Sequence, residues 1–126
     1  MKMDGDNIIL DKTFAFAVRI VNLYKYLTIK SDNKEYVLSK QLLRSGTSIG
    51  ANTEEAIGAA STADFVNKLS IAYKEARETK YWIRLLHKTE YLSEFEANSI
   101  LTDLDDICNI LAKIQITTRG KTTPEK

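Results

Sequence analysis

The chain has 126 residues, the usual length of one domain, and its 18 Lys and Arg residues nearly balance 17 Asp and Glu residues. A formal net charge of +1 gives no overall attraction to nucleic acid or acidic lipid, so such binding requires a local basic patch. The acidic N-terminal residues and the lack of a run of about 18 apolar residues argue against export and membrane insertion. The one cysteine, Cys108, fits a reducing cytoplasm.

Four helices are predicted, because proline is absent before Pro124 and apolar residues recur at helical spacing. They cover residues 11–30, 39–59, 62–88 and 94–116, while residues 1–10 and 117–126 are expected to form a loose lead-in and a loose tail. The connections after the second and third helices are short, which forces antiparallel neighbours. The sequence therefore predicts a single all-α domain over residues 1–126, an up-down-up-down antiparallel four-helix bundle.

The first predicted helix carries two apolar stripes. One consists of Phe14, Val18 and Val21, and the second of Phe16, Ile20, Leu23 and Leu27. A helix that is apolar over more than half of its circumference has more than one face to cover. A monomeric bundle would leave one face in water, so the pattern indicates a homo-oligomer.

In the second helix, Leu38, Leu42, Ile49 and Ala56 share one face, and Ser39 is the predicted N-cap. Gly46 and Gly50 lie four residues apart on an adjoining face. Each glycine costs up to about 1 kcal/mol of helix propensity relative to alanine, which indicates close approach of another helix backbone.

The third and fourth helices begin with recognisable capping sequences, Ser61-Thr62-Ala63-Asp64 and Ser93-Glu94-Phe95-Glu96. Their predicted core positions are Phe65, Leu69, Ala72, Ala76, Ile83 and Leu86 in the third helix and Ile100, Leu104, Ile107, Leu111 and Ile114 in the fourth. The alternating three-four spacing of the fourth helix is typical of bundle packing.

Two polar stripes lie beside these apolar faces. Arg44, Ser48, Asn52 and Glu55 follow the second helix, and Glu75, Glu78 and Trp82 follow the third. If the stripes meet, Arg44 can bind a carboxylate of the third helix, Glu75 or Glu78 by preference, within a structural polar network. The alternative is that one or both stripes face water.

A basic stripe on the third helix comprises Lys74, Arg77, Lys80, Arg84 and Lys88. Such a stripe can follow a phosphate backbone, with Tyr81 as the aromatic residue within it. The alternative is an ordinary solvated helix face.

The sequence contains no pattern typical of a catalytic or metal-binding site. Di-metal bundles require Glu-x-x-His pairs, and the one histidine, His87, follows Arg84 at that spacing, so Glu54, Glu55, Glu75 and Glu78 are not predicted to bind metal. The segment from Arg44 to Gly50 lacks the ending of a P-loop. Cys108 is interpreted as a small core residue. No enzymatic activity and no cofactor are therefore predicted.

The segment from Gln41 to Ala56 contains the pattern Arg-Ser-x-x-Ser-Ile-x-x-Asn-x-x-Glu, starting at Arg44. Together with Phe65-Val66-Asn67-Lys68-Leu69 and the segment from Lys74 to Trp82, it resembles the bacterial four-helix-bundle family encoded by intervening sequences within 23S ribosomal RNA genes. The similarity spans about residues 14–111 and is dense from residue 39 to residue 86.

The resemblance implies a homopentamer and, through relatives that serve diversity-generating retroelements, an accessory role that involves a reverse transcriptase and RNA or DNA. It also implies that the motif residues Arg44, Ser48, Asn52, Glu55, Glu75, Glu78 and Trp82 are structural positions. The sequence thus predicts a cytoplasmic, non-enzymatic scaffold or accessory factor for a nucleic-acid-associated partner. The alternative is a structural or host-interaction module with no nucleic-acid role.

Overall fold

The computed structural model describes the backbone of residues 4–122 and the side chains of residues 8–120. It contains four helices and, within residues 4–122, no strand: α1 (Asp4–Lys25), α2 (Leu38–Ile57), α3 (Thr62–Lys88) and α4 (Glu94–Thr122). A short π-helical segment, Tyr26–Lys30, continues α1. The pairs α1–α2, α2–α3, α3–α4 and α4–α1 pack together, so the molecule is the predicted all-α four-helix bundle. None of the helices within the described residues carries an apolar stretch long enough to cross a bilayer.

The core consists of the predicted stripes. The second stripe of α1 is buried, as are the six core positions of α3 and the five of α4. In α2, Leu42, Ile49 and Ala56 are buried, whereas Leu38 is only partly covered. The three-four spacing of apolar residues therefore located the core correctly, because each stripe faces the bundle axis.

The predicted ends of the bundle were wrong in two places. Residues 4–10 belong to α1, and Ile9 and Thr13 are almost completely buried. At the other end α4 continues to Thr122, because Gln115 and Thr118 extend its buried face by one more turn. The rest of the expected tail, residues 123–126, lies outside the described residues.

The cap of α2 also differs from the prediction. Ser39 lies inside the helix, fully buried, and its hydroxyl donates to the carbonyl of Glu35 at 2.7 Å. The Glu35 carboxylate, itself buried, accepts hydrogen bonds from the backbone N–H groups of Val37, Leu38 and Ser39 at 2.6 to 3.0 Å. A carboxylate reaches these groups from outside the helix, so it satisfies donors that a serine at position 39 cannot.

The caps of α3 and α4 are as predicted. Ser61 accepts a hydrogen bond from the N–H of Asp64 at 3.1 Å. Ser93 and Glu96 form a reciprocal box, in which each side chain accepts the other residue's backbone N–H at 3.1 Å. Both helix starts are therefore capped by side chains close to them in the sequence.

Gly46 and Gly50 are the positions where α1 approaches α2 closely. A Cβ atom on Gly46 would lie 2.8 Å from Cγ1 of Ile20, and one on Gly50 would lie 3.3 Å from the carbonyl oxygen of Thr13. The expected close approach is confirmed, and it fixes the separation of these two helices.

Candidate functional site

Arg44 joins α2 to α3. Its guanidinium lies 3.3 Å from Oε1 of Glu75 and also contacts Oε2 of Glu78. The indole N–H of Trp82 donates to the same Glu78 oxygen at 3.0 Å. The structure therefore brings Arg44 to both acids that the sequence favoured as its partners. The Arg44 side chain is 49% exposed, so this is a surface network rather than a buried one.

The remaining residues of the predicted polar stripes stand apart from Arg44. The Asn52 side chain donates to the carbonyl and the hydroxyl of Ser48, at 2.9 and 3.0 Å, and so closes a contact within α2. Glu55 pairs with Lys68 at 2.8 Å, and this hydrogen bond raises the pKa of Lys68. The seven motif residues thus belong to three separate groups. Each group makes polar contacts at the surface of the helices.

Sequence reasoning missed a polar contact in the core. The hydroxyl oxygens of Ser45 and Thr79 lie 2.8 Å apart between α2 and α3, and both side chains are fully buried. The signal was present, because Ser45 falls between Leu42 and Ile49, and Thr79 between Ala76 and Ile83, at core spacing. A small hydroxyl residue at such a position indicates a buried partner.

Ion pairs between α1 and α4 were also not predicted. Arg19 lies 2.7 Å from Asp103 and donates to the hydroxyl of Ser99 at 2.6 Å, while Lys12 lies 2.8 Å from Asp106. The periodicity of the first helix does not say which other helix Arg19 and Lys12 would face, so these pairs could not be predicted from spacing.

The basic stripe of α3 lies on the surface. Lys74, Arg77, Arg84 and Lys88 are exposed, and within residues 8–120 none of them forms an ion pair. Lys80 differs, because its amino group lies 3.2 Å from Asp105 on α4. Four of the five predicted residues therefore present uncompensated positive charge to solvent.

A groove of about 820 Å³ follows this stripe between α3 and α4. It is lined on the α3 side by Tyr73, Arg77, Glu78, Lys80, Tyr81 and Arg84, and on the α4 side by Asp105, Cys108 and Asn109. Tyr81 is 54% exposed, and its ring meets the ring of Trp82 edge-on, with centroids 5.1 Å apart. The groove thus combines positive charge with aromatic surface, the combination found in sites for single-stranded nucleic acid.

Cys108 is half-buried in this groove, so it lies at the edge of the core and not inside it as predicted. Burial raises the pKa of its thiol, and the charge of Asp105 raises it further, while Lys80 and Arg77 oppose the change. A thiol held in its neutral form is a poor nucleophile.

A second exposed surface lies on α1. Phe14, Val18 and Val21, the first of the two predicted apolar stripes, are 68%, 46% and 36% exposed. Phe14 also borders a shallow depression toward α2, beside Ala17, Gly50 and Ala51. The bundle core accepts only one of the two stripes of α1, as expected, and leaves this one uncovered.

Within residues 8–120, no three His, Cys, Asp or Glu side chains lie close enough together to hold a metal ion. Of the four glutamates considered as metal ligands, three form ion pairs: Glu75 and Glu78 with Arg44, and Glu55 with Lys68. The fourth, Glu54, is exposed to solvent. His87 lies near Tyr91 at the far end of α3.

The model of a known protein family, described as 23S rRNA-intervening sequence protein, matches residues 5–113. Among solved structures, the chain is similar to a protein of unknown function from the S23 ribosomal protein family of Bacteroides thetaiotaomicron. The two share 55% identity with a TM-score of 0.85, over 87% of this chain and 96% of the other. A comparison with curated proteins gave no match.

The family match covers most of α1 through α4, including the Arg44 network and the basic stripe of α3. The solved relative shares the same fold over nearly its whole length. The chain therefore belongs to the 23S rRNA-intervening sequence protein family.

Proposed function

We propose that the protein is a non-enzymatic, homo-oligomeric bundle that acts in the cytoplasm as a scaffold or accessory factor for a nucleic-acid-associated partner. The observation that carries the proposal is the basic stripe of α3, four of whose five residues form no ion pair within the described side chains, in a chain whose charges nearly balance overall. The resemblance described above supports a nucleic-acid enzyme, such as a reverse transcriptase, as the class of partner.

Self-association is supported by the exposed stripe of Phe14, Val18 and Val21. Three large apolar side chains in a row on one helix are unusual on a monomer surface, and burying them between copies would stabilise an assembly. The resemblance favours five subunits. Light scattering at micromolar concentration measures the mass directly, and Val18→Glu should dissociate the assembly because it places a charge in the middle of the stripe.

The matched control for that variant is Ile116→Glu. Ile116 is 69% exposed on α4, so the same charge replaces an exposed apolar residue of another helix. The proposal expects an unchanged mass for Ile116→Glu and a smaller mass for Val18→Glu. A monomeric wild-type protein would refute the oligomer.

Nucleic-acid binding would be electrostatic in the first instance. Arg77 and Arg84 lie seven residues apart on one exposed face, so each can neutralise a phosphate and release its counterions. Repetition of the stripe in an assembly would raise the apparent affinity without new contacts. Binding should therefore be sequence-tolerant and should weaken steeply as salt rises.

The test is a titration of labelled structured RNA and duplex DNA at low and physiological salt. Arg77→Glu/Arg84→Glu should abolish binding and leave the assembly intact, whereas Lys25→Glu/Lys40→Glu makes the same charge change on exposed residues elsewhere. If neither nucleic acid binds at low salt, the alternative of a structural or host-interaction module is preferred.

A further inference from the structure

We propose that the groove between α3 and α4 holds a short stretch of single-stranded nucleic acid, with Tyr81 stacking on a base and Arg77 and Arg84 binding the adjacent phosphates. This inference rests on the proposed function and names the ligand class and the residues that select it.

The spacing along α3 gives the groove its repeating character. Tyr73, Arg77, Tyr81 and Arg84 follow one another at intervals of four, four and three residues, so they lie on one face of the helix. At a rise of about 1.5 Å per residue, this face is about 16 Å long. Aromatic and cationic side chains therefore alternate along the groove, so a single strand can contact the cations with its phosphates and the aromatic rings with the bases that branch from its backbone.

The Tyr81 ring is held ready for stacking. Its neighbour Trp82 packs edge-on against it, with an interplanar angle of 72°, and Trp82 is itself anchored by its hydrogen bond to Glu78. Glu78 is in turn bound by Arg44. The contact with Trp82 restricts the Tyr81 ring while the residue stays 54% exposed, which lowers the entropic cost of binding.

The charges of the groove select an anion. Its two carboxylates already have partners, since Glu78 contacts Arg44 and Asp105 contacts Lys80. Arg77 and Arg84 have no ion-pair partner within the described side chains, so they are the groups that remain for a ligand. Guanidinium groups bind phosphate oxygens in a bidentate manner, which positions the backbone as well as attracting it.

The aromatic surface favours a single strand over a duplex. In a duplex the base faces are stacked on one another, so Tyr81 would have no base to contact and only the arginines would bind. A single strand offers both its phosphates and its free base faces. Asn109 on the α4 wall adds an amide that can donate to and accept from a base edge.

The experiment measures binding of a short labelled oligouridylate and of an RNA duplex with the same number of phosphates, at low salt, by fluorescence anisotropy. The variant Tyr81→Leu keeps an apolar side chain against Trp82 but removes the stacking ring. It should weaken oligouridylate binding about tenfold and leave duplex binding unchanged. Tyr81→Phe, which keeps the ring, should bind as the wild type does.

Tyr36→Leu is the matched control, because Tyr36 is 58% exposed, compared with 54% for Tyr81, and does not line the groove. Trp82 gives a second readout, because it is the one tryptophan of the chain and touches Tyr81. Its fluorescence should change when oligouridylate binds the wild type and should change much less in Tyr81→Leu. Circular dichroism confirms that each variant keeps its helix content.

The outcomes separate this inference from the proposed function. If Arg77→Glu/Arg84→Glu abolishes binding but Tyr81→Leu has no effect, or if the duplex binds as tightly as the single strand, the groove inference is wrong and the basic stripe still binds nucleic acid. If neither nucleic acid binds, both proposals fail. If polyglutamate displaces oligouridylate as well as unlabelled oligouridylate does, the groove is a surface for acidic peptides and the inference is overturned.

Discussion

The hydroxyl groups of Ser45 on α2 and Thr79 on α3 form a polar pair in the interior, with their oxygens 2.8 Å apart and neither side chain open to solvent. Thr79 also lies 2.7 Å from the backbone carbonyl of Glu75. Since one hydroxyl proton serves one acceptor, Thr79 can donate to that carbonyl while Ser45 donates to Thr79. The pair is thus satisfied without water.

Thr79→Val keeps the shape of the side chain and removes its hydroxyl, so Ser45 is left buried without a partner. We expect a loss of about 1 to 3 kcal/mol in the free energy of unfolding, measured by urea denaturation. The double variant Ser45→Ala/Thr79→Val should lose less unfolding free energy than the two single variants together, because it leaves no buried hydroxyl without a partner. Strict additivity would show that the two hydroxyls do not interact.

Arg44→Ala should destabilise the fold by about 1 kcal/mol or less, because the ion pairs of Arg44 are at the surface, where solvent screens them. Glu78→Ala should cost more, since it removes the partner of the half-buried Trp82 indole as well as that of Arg44. Thermal and urea unfolding of the two variants provide the comparison. A larger effect of Arg44→Ala than of Glu78→Ala would contradict this order.

Gly46→Ala should destabilise the protein despite the better helix propensity of alanine. The new methyl would lie within 3 Å of two carbons of Ile20, which is fully buried and cannot move aside. Overpacking of this kind costs about 1 to 3 kcal/mol and exceeds the propensity gain of up to about 1 kcal/mol.

The control for that substitution is Gly120→Ala on α4. Apart from the neighbouring backbone of α4, no atom of the described residues lies within 4 Å of a Cβ placed at Gly120, so this variant should be neutral or slightly more stable. Equal effects of the two substitutions in the same unfolding assay would show that the contact with Ile20 does not limit the approach of α1 to α2.

Cys108 should react slowly with a thiol reagent such as DTNB at neutral pH. The raised pKa of its thiol leaves less thiolate than a free cysteine has, so the rate should rise with pH and level off only above the ordinary thiol range. The neutral thiol is favoured in the fold, so its contribution to stability is complete below the ordinary thiol pKa and is lost as pH rises through the raised value. Asp105→Asn should lower the pKa of Cys108 and accelerate the reaction.

Apolar periodicity was sufficient to predict the fold, because a three-four stripe such as Ile100, Leu104 and Ile107 can be buried in few ways other than against a bundle axis. Spacing also predicted the two apolar stripes of α1. It could not predict which stripe would be buried in the core, because that depends on how the helices pack. The capping of α2 by Glu35 was missed because the carboxylate acts from a loop, outside the usual cap position.

The groove could not be predicted from spacing along a single helix. Periodicity places Arg77 and Tyr81 on one face of α3, but Cys108 and Asn109 come from α4, about 30 residues later in the chain. Which side chains of α4 stand opposite α3 depends on the rotation and offset of the two helices, and these are set by packing throughout the bundle.

The wide turn at Tyr26–Lys30 has a consequence for comparing relatives of different length. A π-helical turn holds one residue more than an α-helical turn, and here it allows the consecutive residues Leu27 and Thr28 both to be buried. Before this turn, the residues of α1 face the core at regular α-helical spacing. After it, the chain enters the connection to α2. A family member that lacks one residue in this segment can therefore revert to a plain α-helical turn with its core unchanged, whereas a one-residue gap in the middle of α2 or α3 would rotate every following side chain by about 100°.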